Sequence, residues 1–257
     1  MCAKLGYLTS KLAIEPVFYQ PGSKIANSKD CSLYLETNFN TIQFQTNLKT
    51  KLMLSLLASQ PLVFFILLIG LVFALSIHEF AHAWAADQLG DPTPRAQGRL
   101  TLDPRAHLDP LGTLALLLTR FGWGKPVQYD PYNLQNPVRD TALISLAGPL
   151  SNLIFAGVLS IIINFQLSPW MWLQVALVQI LIINVMLAIF NLIPVKPLDG
   201  SKIMRALLPR ETAREYEQIM DQYGLFILLF LIMPWGGSSP VSQLISPVID
   251  LVVRLLI

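Results

Sequence analysis

The chain has 257 residues, of which 53% are apolar and only 13% charged, with a formal net charge of +2. Soluble domains carry about 25% charged residues, so composition excludes an ordinary soluble domain, and the small net charge without a basic run excludes nucleic acid as a partner. Cys2 and Cys31 form no C-x-x-C pair, which excludes thiolate zinc sites and a disulfide framework.

Residues 1–51 are rich in Ser, Thr, Asn and Lys with weak periodicity. They read as a poorly ordered N-terminal extension. Glu15, Asp30 and Glu36 argue against an acid-poor transit peptide. Residues 52–257 form the membrane domain. Its first span is "PLVFFILLIGLVFALSI" (61–77), long enough with its flanks to cross a bilayer. "SIHEFAHAW" (76–84) stands at the end of that span.

The 87–141 stretch is more polar. "GRLTLDP" (98–104) and "KPVQYDP" (125–131) each read as a short strand at the membrane edge, closed by Asp-Pro. An extended substrate can add to such an edge as a further strand. "LGTLALLLTRFGW" (111–123) is too short to cross and is expected to be interfacial or re-entrant. The second span is 143–165. The third is 170–193, with Trp170 and Trp172 as interface anchors. Apolar runs at 224–235 and 244–257 are one broken span or two short ones. The expected fold is an all-α polytopic membrane protein of about 4–6 transmembrane segments, with an interfacial or re-entrant segment containing the short strands.

Charge bias sets the orientation. Lys196, Lys202, Arg205, Arg210 and Arg214 follow the third span, and Arg95, Arg99, Arg105, Arg120, Lys125 and Arg139 follow the first. Both stretches are expected on the cytosolic side. "HEFAH", "AGPLSN" (147–152) and "NLIPVKPLDG" (191–200) then meet at the inner edge of the membrane.

Residues i and i+4 share one face of a helix. His78 and His82 can therefore offer imidazole nitrogen to one metal, with Glu79 beside them to reach a water on it. This is the H-E-x-x-H arrangement of zinc hydrolases. The plainer alternatives are a structural histidine network or a proton relay. Two histidines leave a catalytic site incomplete, since such a zinc usually has three protein ligands. The remaining candidates are His107 and Asp199. Pro194 and Pro197 cannot continue a regular helix, so they free Asp199 to turn toward the site; its plain reading is a cap or loop carboxylate. His107 is read as a group orienting Asp109 or a metal ligand, against a plain interfacial histidine.

"HEFAH", "AGPLSN" and "NLIPVKPLDG", in that order, resemble the site-2 protease family of intramembrane zinc metalloproteases. The resemblance covers about residues 53–257 and extends to the compact subgroup through "GDPTPRAQGRLTLDPRAHLDPLGTL" and "FGWGKPV". The 166–169 turn has no room for the PDZ domain that some relatives carry. The resemblance implies Zn2+ as cofactor, His78, His82 and Asp199 as its ligands, and Glu79 as the general base. It implies that Asn152 holds the substrate strand or the oxyanion. It implies a zinc endopeptidase that cleaves transmembrane protein substrates within the lipid bilayer, in a bacterial cell membrane or an organellar one, with its site near the cytosolic side. Lys196 and Ser201 depart from the usual pattern, and Lys196 is expected to put a charge close to the site. The competing functions are an ion-coupled transporter and a catalytically silent homologue that binds membrane partners.

Overall fold

A computed structural model describes Leu57 and residues 61–119, 122–165, 171–236 and 238–257. The expected extension at 1–51, the 166–169 turn and Trp170 lie outside the described residues, as does the side chain of Trp172. The described chain is helical. α1 runs Pro61–Gln88, followed by the short α2 (Thr93–Ala96), α3 (Pro104–His107) and α4 (Pro110–Thr119). A 3-10 turn at Pro131–Asn133 leads into α5 (Pro137–Asn164). Then come α6 (Met171–Asn191), α7 (Asp199–Leu207), α8 (Arg210–Ile232) and α9 (Pro240–Leu256).

Three helices are long and apolar enough to cross a membrane, over Phe64–Gln88, Pro137–Asn164 and Leu173–Asn191. α1 has 28 residues, or about 42 Å of helix against a hydrocarbon core of about 30 Å. Its outer face shows why it needs lipid. Leu62, Phe65, Ile69 and Phe73 recur every three or four residues and are all exposed. Such a stripe is an aggregation surface in water and a lipid-facing surface in a bilayer. Ile154, Val158 and Ile161 do the same on α5. Inside, small residues let backbones approach closely. Ala74 is fully buried where Leu67 and Ile183 pack, and Gly70 faces the Ile180 side chain of α6.

Polar groups turn inward. Ser76, His78, Glu79, His82, Ser145, Asn152, Asn184 and Ser201 are all buried. Ser76 absorbs its own polarity by donating from Oγ to the Val72 carbonyl one turn back, at 2.8 Å.

The two C-terminal apolar runs are separate helices, α8 and α9, joined through a turn with a bridge between Trp235 and Ser238. They hold the 192–198 loop from outside. Ile193, Val195 and Leu198 are buried in one cluster with Leu228 and Val241. Tyr216 donates its hydroxyl to the Pro194 carbonyl at 2.9 Å. Lys196, expected beside the site, is paired outward with Asp221 at 2.6 Å.

The expected strands at 98–104 and 125–131 are not formed. Among the described residues the only bridges are isolated, Leu108 with Gly124 and Trp235 with Ser238. The reason lies in the Asp-Pro pairs. Asp103 caps α3 by accepting the Arg105 N–H, with Pro104 in its first turn. Asp130 caps the 3-10 turn at Tyr132 in the same way. Pro126 also lacks the N–H a ladder requires. The two segments still meet, since the Arg99 guanidinium donates to the Lys125 carbonyl at 3.2 Å.

Candidate metal centre

His78 and His82 lie one turn apart on α1, where Cβ positions i and i+4 share a face. Each ring is turned by a hydrogen bond from Nδ1. His78 Nδ1 donates to Asn152 Oδ1 at 2.8 Å. His82 Nδ1 donates to the Ile144 carbonyl at 2.7 Å. Both acceptors stand on α5, near Pro149, which removes one helix donor there. In the neutral rings, with both Nδ1 protons committed, both Nε2 atoms carry lone pairs.

Those lone pairs converge. The two Nε2 atoms are 3.0 Å apart, and Asp199 Oδ2 lies 3.1 Å from one and 3.2 Å from the other. Three electron-pair donors thus share one buried point, and they form a group able to hold a metal ion.

The donor set fits zinc. Bonds of about 2.0–2.2 Å in a tetrahedron set ligand atoms about 3.3 Å apart, close to the spacing seen. The space is also kept open. A Cβ on Gly148 falls 2.5 Å from His82 Cε1 and 2.7 Å from His78 Cε1, and closer still to His82 Nε2. Only glycine leaves that pocket free.

Asp199 arrives by a different route from the histidines. α6 stops at Asn191, and seven non-helical residues follow before α7 begins at Asp199. Gly200 seats that turn, because a Cβ there meets the carbonyls of Leu192 and Ile193. Glu79 is buried beside the histidines, and its Oε2 accepts the Val127 N–H at 3.1 Å. The 124–130 segment is therefore pinned against the side chain next to the cluster. Asp91, fully buried, anchors its far end. Its Oδ2 accepts the Asp130 N–H at 2.7 Å and its Oδ1 accepts from Asn133 and Thr93. Burial pushes Asp91 up, but these donors pull it below the usual carboxylate range.

Asn152 and His107 make contacts the sequence did not indicate. Asn152 makes its hydrogen bonds within the protein. It is fully buried, and its Nδ2 donates both hydrogens within the protein, to the Ala74 carbonyl at 3.1 Å and to Asn184 Oδ1 at 2.9 Å. Its place is behind His78. His107 does not orient Asp109 or a member of the cluster. It is fully buried, with Nε2 on the Thr101 carbonyl at 2.7 Å and Nδ1 without a partner. Gly148, Val127 and Asn184 were not singled out by the sequence. The available signals were the glycine inside "AGPLSN" and a lone amide inside the apolar run "ILIINVMLAIF".

Known proteins are similar in sequence to this chain. The sequence profile of Peptidase family M50 matches residues 166–231, which include the Asp199 turn. YwhC of Bacillus subtilis, which bears a zinc metalloprotease name, is 34% identical over 205 residues, covering 74% of this chain and 90% of that protein. The chain belongs to peptidase family M50. Rip2 of Mycobacterium tuberculosis, also named as a zinc metalloprotease, is 32% identical over 187 residues, covering 68% of this chain and 71% of its own. Its namesake in Mycolicibacterium smegmatis is 29% identical over 181 residues, covering 67% and 68%. No solved structure matches the chain significantly. As a member of M50 the protein is a membrane-embedded zinc metalloendopeptidase.

Proposed function

We propose that this M50 peptidase cleaves peptide bonds of transmembrane protein substrates within the bilayer, with His78, His82 and Asp199 holding the zinc and Glu79 as general base. The observation that carries the proposal is the convergence of three ligand atoms, 3.0 to 3.2 Å apart, at the C-terminal half of a membrane-length helix. Zinc supplies a Lewis acid there, able to bring a water's pKa to about 7.

The protein groups handle the proton. Glu79 Oε2 is occupied by the Val127 N–H, which leaves Oε1 to take the proton of the attacking water. The water oxygen bonds to the peptide carbonyl carbon, and the C–N bond breaks. Glu79 then returns its proton to the leaving amine nitrogen. The hydrogen bonds at Nδ1 hold both rings with Nε2 turned toward Asp199. His78, Glu79 and His82 are buried, which strengthens each of these interactions.

We place the protein as a multi-pass component of a bacterial cell membrane, with its site toward the cytosol. The bacterial relatives and the Lys/Arg bias of residues 87–141 and 194–223 support that placement. An ion-coupled transporter has less support, since such proteins often carry internal repeats with broken helices in both halves, and here the site helix α1 is unbroken.

The test is reconstitution with a single-span substrate in vesicles, with the products mapped by mass spectrometry. The cut bond should lie inside the apolar segment, and chelation followed by zinc should remove and restore cleavage. Cutting confined to the soluble flanks would overturn the intramembrane reading.

A further inference from the structure

We propose that Asn184 is a positioning residue that fixes, through Asn152, which ring nitrogen of His78 carries the proton. The inference rests on His78 being a zinc ligand. It adds a residue on a different helix that touches neither metal nor substrate.

Asn184 sits on α6 inside the third span and is fully buried. An amide there is costly unless its bonds are made. Its Nδ2 donates to the Ile180 carbonyl at 2.8 Å, one turn back on its own helix. A carbonyl only accepts, so this bond decides the orientation of the amide. Asn184 Oδ1 is left facing Asn152 Nδ2, at 2.9 Å. Asn152 Nδ2 spends its other hydrogen on the Ala74 carbonyl of α1. Asn152 Oδ1 is left facing His78, and only a protonated Nδ1 can bond it. Nε2 then has a lone pair aimed at the cluster.

Each step has a single donor–acceptor solution. Turning the Asn184 amide over sets NH2 against NH2 at Asn152. Turning Asn152 over to relieve that clash sets NH2 against His78 Nδ1. His78 must then carry its proton on Nε2, pointing at Asp199 and at the place where zinc binds. The Ile180 carbonyl on α6, acting with the Ala74 carbonyl on α1, thus specifies the tautomer of a ligand on α1. His82 has no such chain, because its Nδ1 bonds a backbone carbonyl directly. The plain alternative is that Asn184 only glues α5 to α6, and the two roles predict different measurements.

Asn184→Leu removes the amide at nearly constant volume. Zinc affinity, measured by chelator competition on purified protein, should fall about 10–100-fold, the usual cost of losing a group that supports a ligand histidine. Asn184→Asp should restore it, since a neutral buried carboxylic acid still accepts from Asn152 and donates to Ile180. In an Asn152→Ala background Asn184→Leu should cost nothing further, because the path is already cut. The chain has three histidines, so ¹⁵N-histidine NMR of the zinc-free protein can be assigned by single variants. His78 should show the Nδ1–H tautomer in the wild type and lose that preference in Asn184→Leu, while His82 keeps its own. Asn184→Ala serves the same test where the leucine variant fails to insert. Affinity within threefold of wild type, a loss additive to Asn152→Ala, or an affinity loss with the His78 tautomer unchanged overturns the proposal. If His78→Ala still binds zinc, the ligand assignment fails instead. The metal-free spectra judge the Asn184 effect independently of that outcome.

Discussion

Gly148→Ala adds one methyl group to α5 and aims it at both imidazoles. The new Cβ lies 2.5 Å from His82 Cε1 and 2.7 Å from His78 Cε1, while real Cβ contacts do not fall below 3.0 Å. Subtracting 2.5 from 3.0 Å, at least about 0.5 Å of movement is needed. Metal sites tolerate about 0.2 Å in ligand distance. The helix cannot simply retreat. Ile144 and Asn152, four residues to either side of Gly148, are both bonded to the rings that must yield. The movement therefore comes out of the ligand geometry. Zinc affinity should fall at least about 100-fold, or about 2.8 kcal/mol, with cleavage lost in proportion. The assay is zinc content after dialysis together with chelator competition. Gly157→Ala on the same helix is the control, since a Cβ there meets nothing within 4 Å, and it should leave affinity unchanged. Gly148→Ala protein that binds zinc within threefold of wild type refutes the reasoning.

Asp199→Ala should empty the site, whereas His107→Ala should keep its zinc and lose only local stability; a chelator titration of both variants decides, and a filled Asp199→Ala site contradicts the assignment. Val127→Pro removes the N–H that Glu79 accepts; zinc should stay and kcat should fall by about 10–100-fold, the order of one hydrogen bond to a charged group. Unchanged kcat in that variant would mean the segment merely rests on Glu79.

Much of this site was legible from residue spacing. H-E-x-x-H on a helix puts two rings on one face whatever surrounds it, so His78 and His82 needed no tertiary information. Asp199 was reachable because charge bias and two prolines brought its loop to the depth of the histidines. The rest depended on contacts between distant segments. Asn152 looked like a free donor because its three partners, His78, Ala74 and Asn184, come from two other helices. His107 looked functional among prolines and acids, but it is folded inward onto the Thr101 carbonyl. The strand reading of 98–104 and 125–131 took Asp-Pro as the close of an extended run, whereas each Asp caps the helical turn that follows it. Gly148 stood inside a noticed motif, yet only the approach of α1 to α5 shows what its missing side chain leaves room for.

The central claim is that Glu79 moves the proton while His78, His82 and Asp199 hold the metal, and Glu79→Gln separates the two tasks. The amide keeps the shape and can still accept the Val127 N–H, but it cannot take a proton from water. The measurement is bound zinc and turnover of a transmembrane substrate on the same purified, reconstituted sample. The account predicts wild-type zinc content with turnover reduced at least about 100-fold, within the range such bases contribute. Turnover above about a hundredth of wild type, with zinc in place, contradicts it.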